Sequence, residues 1–205
     1  MKIIVVVGLP LSGKTTHCAV ISKEKNIPMI ETGTFVFKEV EKRGLEATPE
    51  NVSKVAKECK SISDSYFTER AIEYAMEHHA DAKAIMLNGV KAMSEVEFLR
   101  NKFSEENVKI VSFHASPPTR YARLNNPDRM TSDRGKKSEE DEAMRADKSR
   151  FEARDQKELG YGVGTLIALS DFIVNTEDKK WPYHSFEYTI REFRLIVEEI
   201  INNKE

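Results

Sequence analysis

Gly8, Leu9, Pro10, Leu11, Ser12, Gly13, Lys14 and Thr15 follow the pattern G-x-x-x-x-G-K-[ST] in full, with Thr16 directly after. The chemistry this points to is capture of a polyphosphate. Glycines let the backbone wrap closely enough for successive N–H groups to face phosphate oxygens. A helix starting at the end of the loop adds its positive pole. Lys14 supplies a mobile point charge for the β- and γ-phosphates, and the Thr15 hydroxyl is a ligand for Mg2+. The alternative is a glycine turn with an accidental lysine. Context argues against it, because the motif follows a buried strand and opens a helix.

That strand is "KIIVVV", residues 2–7, a continuous β-branched run suited to burial on both faces of a parallel sheet. A helix runs from the loop to about Lys25, and "IPMIE" (27–31) reads as a second strand. The pattern predicts a helix over 34–43 closed by Gly44. Another helix starts at Thr48-Pro49-Glu50, with proline in the first turn. A helical face then carries Phe67, Ala71, Tyr74 and His78. "AIML" (84–87), "VKIVSF" (108–113) and "DFIVN" (171–175) are further strands. Ser94 and Glu97 have capping-box spacing for the helix after the third strand. The last helix, about 185–201, places Phe186, Ile190, Phe193, Val197 and Ile200 on a core-packing stripe. Alternating strands and helices predict one α/β domain over 1–205: a five-stranded, mostly parallel sheet flanked by helices, a P-loop NTPase fold. The charged stretch 125–160 breaks the pattern. It reads either as a helical lid inserted into the sheet or as a solvated surface loop.

Composition narrows the partners. The chain has 205 residues, 32 basic and 34 acidic, for a net charge of -2. That balance argues against nucleic-acid binding, which needs a basic excess. Cys18 and Cys59 read as free thiols of a reducing compartment. With no signal peptide and no apolar run of about 18 residues, neither secretion nor a membrane span is predicted, and the expected location is cytoplasmic. Oligomeric state is left open. His78-His79 point apart on a helix and do not suit joint metal binding. His17 either lines the site or packs.

The stretches "GLPLSGKT", "GVKAMSEVE", "SPPTRYARL" and "RDQKELGYGVGTLIALSDFIVN" resemble, in the same order, those of adenylate-kinase-related archaeal P-loop kinases, a group described as adenylate-kinase-like or dephospho-CoA-kinase-like. The resemblance covers most of the chain. It implies a core that binds ATP with Mg2+, an acceptor-binding helical region over 33–80, and a lid. By position, Arg123 would lie against the adenine, and residues 175–177, starting with Asn175, would border the base. Arg129, Arg134, Arg150 and Arg154 would sit in or beside the lid, where Lys14, Arg134, Arg150 and Arg154 would neutralise charge on the transferring phosphoryl group. Each arginine alone could equally be a surface ion pair. Asp155 would orient Arg154 or cap local charge. Gly33, Thr34, Lys38, Lys60, Gly89 and Lys91 would serve the acceptor, a small phosphorylated molecule.

Four departures from the resembled pattern stand out. Relatives carry Asp-Gly after the third strand, where this chain has Asn88-Gly89. They carry Gly-Asp after the second strand, where it has Gly33-Thr34. An arginine expected just beyond falls at Phe37, beside Lys38, and Lys91 stands in place of another. Asn88 can reach Mg2+ only through a bound water and without negative charge. Glu31 is the nearest carboxylate to compensate, although an exposed strand end is the favoured reading of it. Two functions follow: an ATP-dependent kinase acting on a small phosphorylated acceptor, or a degenerate relative that binds nucleotide without transfer. A translocating NTPase fits poorly with so short a chain.

Overall fold

The computed structural model describes residues 1–125, 144–145, 147–177 and 185–202. Strand β1 (Lys2–Val7) lies at the centre of a five-stranded sheet of order β2-β3-β1-β4-β5, with β2 (Met29–Glu31), β3 (Ala84–Asn88), β4 (Val108–His114) and β5 (Phe172–Asn175). All four strand pairings are parallel. Burial on both faces explains the unbroken run of β-branched residues: Ile3, Val5 and Val7 enter one core, Ile4 and Val6 the other.

Helices α4 (Tyr66–His78), α5 (Met93–Phe103) and α8 (Val163–Ala168) cover the first face through Ala71, Ile72, Ala75, Val96, Leu99 and Leu166. On the second face, α1 (Lys14–Lys25) and α9 (Phe186–Asn202) pack through Cys18, Ile21, Ile190, Phe193 and Val197. The predicted stripe of α9 holds except at its first member, since Phe186 is 43% exposed. Helices α2 (Thr32–Lys42) and α3 (Pro49–Ile62), with the first turn of α4, build a smaller cluster around Val40, Val55, Cys59 and Phe67. Thr48 caps α3 by accepting the Asn51 N–H at 3.2 Å, as its sequence predicts.

Two local predictions are corrected. Helix α2 begins at Thr32, with no loop after β2, so Gly33 and Thr34 lie in its first turn. The close approach is possible because Gly89 has no side chain: a Cβ there would stand 2.4 Å from Thr32 Oγ1. Ser94 is not the cap of α5; Ala92 holds that position without a side-chain bond. Glu95 instead reaches back to the Lys91 N–H at 3.2 Å, so the carboxylate half of the box survives one register earlier.

From β1 the chain builds outward to one side with β2 and β3, then to the other with β4 and β5. The loop after β1 therefore opens into the crevice at the carboxyl ends of the strands, where the order reverses. Helix α6 (Pro117–Ala122) and helix α7 (Lys148–Gly160) flank that crevice. Most of the predicted lid, residues 126–143 and 146, lies outside the described residues. No described helix is long and apolar enough to cross a membrane.

Candidate nucleotide and phosphoryl site

A cavity of about 610 Å³ occupies the crevice. Its floor is the loop Gly8–Gly13 and the first turn of α1. Gly8 and Gly13 take φ of 143° and 91°, and a Cβ on Gly8 would lie 2.4 Å from Phe113 O. Leu11 also has positive φ, 67°. That conformation costs a residue with a Cβ roughly 1–2 kcal/mol. It is held because the Leu11 side chain packs on Leu124, Met144 and Phe151 and its carbonyl accepts from Arg123 Nη1 at 3.0 Å.

The Lys14 ammonium folds back onto its own loop, donating to Gly8 O at 2.7 Å and Leu9 O at 3.1 Å. Burial lowers its pKa to about 8, against the attraction of Glu31 and then Glu158. A cation desolvated in this way favours an anionic partner. Thr15 and Thr16 line the cavity, and the Thr15 hydroxyl has no partner among the described residues.

Arg123 ties the loop to the segment after β5, bonding to Leu11 O, Thr176 Oγ1 at 3.2 Å and Thr176 O. Thr176 Oγ1 in turn donates to Ser12 O at 2.7 Å. Behind the loop, His17 is 4% exposed. Its Nδ1 lies 2.9 Å from Gly13 O and its Nε2 2.8 Å from Thr189 Oγ1. A carbonyl only accepts, so Nδ1 carries the proton and Thr189 donates to Nε2. Desolvation, helped by the nearby Arg123 charge, lowers the His17 pKa to about 4.

The opposite wall is α7. Arg154 and Glu158 line the cavity, and Glu158 accepts from Lys91 Nζ at 2.8 Å across its mouth. The Lys91 ammonium also sits 4.9 Å from the Tyr161 ring centre.

A family model described as an AAA domain matches residues 7–143. The UPF0200 protein of Methanocaldococcus jannaschii is 32% identical over 206 residues, covering 100% of this chain and 93% of that protein. The UPF0200 protein of Thermococcus sibiricus is 34% identical over 182 residues, covering 88% and 89%. This chain belongs to the UPF0200 family. Two solved structures share its fold at low identity. A putative kinase from Chloroflexus aurantiacus matches with a TM-score of 0.54 and 12% identity, covering 97% of this chain and 96% of that one. Shikimate kinase from Bacteroides thetaiotaomicron matches with 0.51 and 18%, covering 96% and 98%. The sheet order, the loop and these neighbours make this a P-loop kinase fold.

Of the residues singled out in this UPF0200 chain, Gly8, Pro10, Leu11, Gly13, Lys14, Thr15, Thr16, Asn88, Gly89, Lys91, Arg123 and Arg154 line one cavity. Leu9 and Ser12 belong to the loop but not to the wall. Asn175 ends β5 and accepts the Glu177 N–H at 3.0 Å; its successors Thr176 and Glu177 reach the wall instead. Five others lie elsewhere. Thr34 is exposed on α2. The Lys38 ammonium sits 4.9 Å and 4.7 Å from the ring centres of Phe35 and Tyr74. Lys60 Nζ is 3.7 Å from Glu95. Arg150 is exposed in the first turn of α7, and Gly33, although close by on α2, is not on the wall. Arg129 and Arg134 lie outside the described residues.

Sequence reasoning missed Arg120. It is 1% exposed and pairs with Asp155, so Asp155 orients Arg120 rather than Arg154. The available signal was the Arg120–Arg123 spacing, three residues on one helical turn. Glu31 is corrected too: it is half-buried on the cavity wall, not a solvated strand end.

Proposed function

We propose that the protein binds ATP and transfers its γ-phosphoryl group to a small phosphorylated acceptor, a nucleotide or a molecule like dephospho-CoA. One observation carries this reading: a partly desolvated Lys14 shares a single cavity with Arg123, Arg154 and Lys91, so cations surround the place where phosphoryl charge develops. A simple nucleotide holder has no use for Arg154 on the far wall.

The loop N–H groups and the start of α1 hold the β-phosphate. Lys14 exchanges Gly8 O and Leu9 O for β- and γ-oxygens. Arg123 fixes the loop against the base-side segment at Thr176. An ionised oxygen of the acceptor forms the new bond to the γ-phosphorus as the bond to the β–γ bridging oxygen breaks, and ADP departs with that electron pair. On a nucleoside monophosphate that oxygen is a phosphate oxygen, already deprotonated at neutral pH, so no protein base is required; the ribose hydroxyl of a dephospho-CoA-like acceptor ionises in the same step by passing its proton to a γ-phosphate oxygen. Mg2+, when bound, would neutralise charge on the β- and γ-oxygens, and the residues suited to hold it are Thr15 and the Glu31 carboxylate that shares the cavity with it.

The test is to incubate purified protein with Mg-ATP and a panel of nucleoside monophosphates and dephospho-CoA. ADP and one phosphorylated product are expected, with Arg154→Ala at least about a hundredfold slower. The substitution of Asn for a carboxylate at position 88 favours a second reading, nucleotide binding without transfer. ATP uptake with no product across the panel would select it.

A further inference from the structure

Glu31 and Asn88 are register partners at the carboxyl ends of neighbouring strands β2 and β3. Asn88 Nδ2 donates to Glu31 Oε1 at 2.9 Å. The amide must face this way, because an ionised carboxylate only accepts. Asn88 Oδ1 is then turned to Cys18 Sγ, 4.0 Å away. The side chain is 2% exposed and both of its polar ends are engaged by the protein. Glu31 retains one oxygen with no hydrogen-bond partner among the described residues, on a side chain that shares the cavity with Thr15. The other described carboxylates on the wall are committed. Glu158 holds Lys91, and Glu177 accepts from Ser116 N at 2.6 Å and from the Thr119 hydroxyl.

We propose that Glu31 supplies the carboxylate at the metal end of this site and that Asn88 is its positioning residue. The carboxylate thus stands at the end of β2, one strand over from Asn88. The pair is self-consistent: at 2.9 Å a carboxamide donates a hydrogen bond to the carboxylate, where a second carboxylate would only repel it. Mg2+ keeps several of its waters, and an ionised oxygen at the rim accepts from one of them. This inference rests on the nucleotide-binding reading above.

The experiment is calorimetric titration of ATP into wild type, Glu31→Gln and the exchanged pair Glu31→Gln/Asn88→Asp, each with Mg2+ and with EDTA. Wild type is expected to bind ATP about tenfold or more tightly with Mg2+. Glu31→Gln should lose most of that gain while its affinity in EDTA holds or improves. The exchanged pair should regain it. Should Glu31→Gln fail to fold, Asn88→Ala tests the positioning half, with the same loss of Mg2+ gain expected. A wild-type Mg2+ gain retained in Glu31→Gln, or in a folded Asn88→Ala when that substitutes for it, overturns the proposal. No ATP binding by wild type in either condition overturns the nucleotide-binding reading itself.

Discussion

Arg120 and Asp155, 35 positions apart, are joined inside the protein by two parallel hydrogen bonds, one of them 2.7 Å from Nη1 to Oδ1. The same guanidinium donates to Ala115 O at 3.1 Å and Pro10 O at 3.2 Å, and lies 5.1 Å from the Phe151 ring centre. One cation thus locks α6, the phosphate loop and α7 into a single arrangement. Planar, bidentate geometry of this kind is what a lysine cannot reproduce.

Removing one partner leaves a buried charge unmatched. Asp155→Ala is expected to cost about 3–5 kcal/mol and to lower Tm by roughly 10 °C for a chain of this size. Replacing both residues with apolar side chains of similar volume should cost less than either single change. Urea unfolding of the three variants checks the order.

Lys14 makes nucleotide binding proton-linked. With a ligand-free pKa of about 8, the side chain is increasingly neutral at higher pH, yet phosphate binding needs the ammonium form. ATP affinity should therefore fall as pH rises above 8, by up to about tenfold per unit. Calorimetry at pH 9 in two buffers of different ionisation enthalpy should show uptake of close to one proton. Lys14→Ala should bind ATP far more weakly, and any residual binding should lack that uptake. The folded pKa lies below the unfolded 10.5, so the stability of the ligand-free protein should rise between pH 8 and 10.5.

His17 works in the opposite range. Its folded pKa of about 4 lies below the unfolded 6.5, so its contribution is complete above pH 6.5 and lost as pH falls towards 4. The slope is about 1.4 kcal/mol per unit across that window. Unfolding free energies at pH 7.5, 6 and 5 should converge for His17→Gln and wild type as the solution becomes more acid. A constant difference would show that the folded imidazole titrates as the unfolded one does, with no lowering of its pKa.

Gly8 and Gly33 should respond oppositely to alanine. At Gly8 the new Cβ meets a backbone carbonyl at 2.4 Å in a conformation that L side chains avoid, so folding or ATP uptake fails. At Gly33, inside α2, nothing lies within 4 Å. Gly33→Ala should hold or raise stability by about 0.5–1 kcal/mol, which thermal melts of the two variants will read.

What the sequence showed and what it hid divide along physical lines. β1 was legible because burial on both faces demands an apolar β-branched run, and the phosphate loop because its glycines have no substitutes. Thr48 was legible for the same local reason: its hydroxyl acts three residues on. Glu31 was misread, because strand register, which sets it beside Asn88, is a long-range property. Arg120 was missed because its partner arrives from another helix. Lys38 and Lys60 were assigned to the acceptor by position alone. Their ammonium groups turned instead to the nearest aromatic rings and carboxylate, choices that depend on how α2, α3 and α5 dock.

Helix α7 is fastened to the body at successive levels. Asp155 is gripped by Arg120, Glu158 by Lys91, and Gly162 just beyond passes so close to Lys91 O that a Cβ would stand 3.1 Å from it. Arg154 rides on that helix directly before the first of these fastenings. Its positive charge is therefore a stationary fixture of the crevice, already in place before any guest arrives, rather than a travelling arm that must be recruited at each turnover.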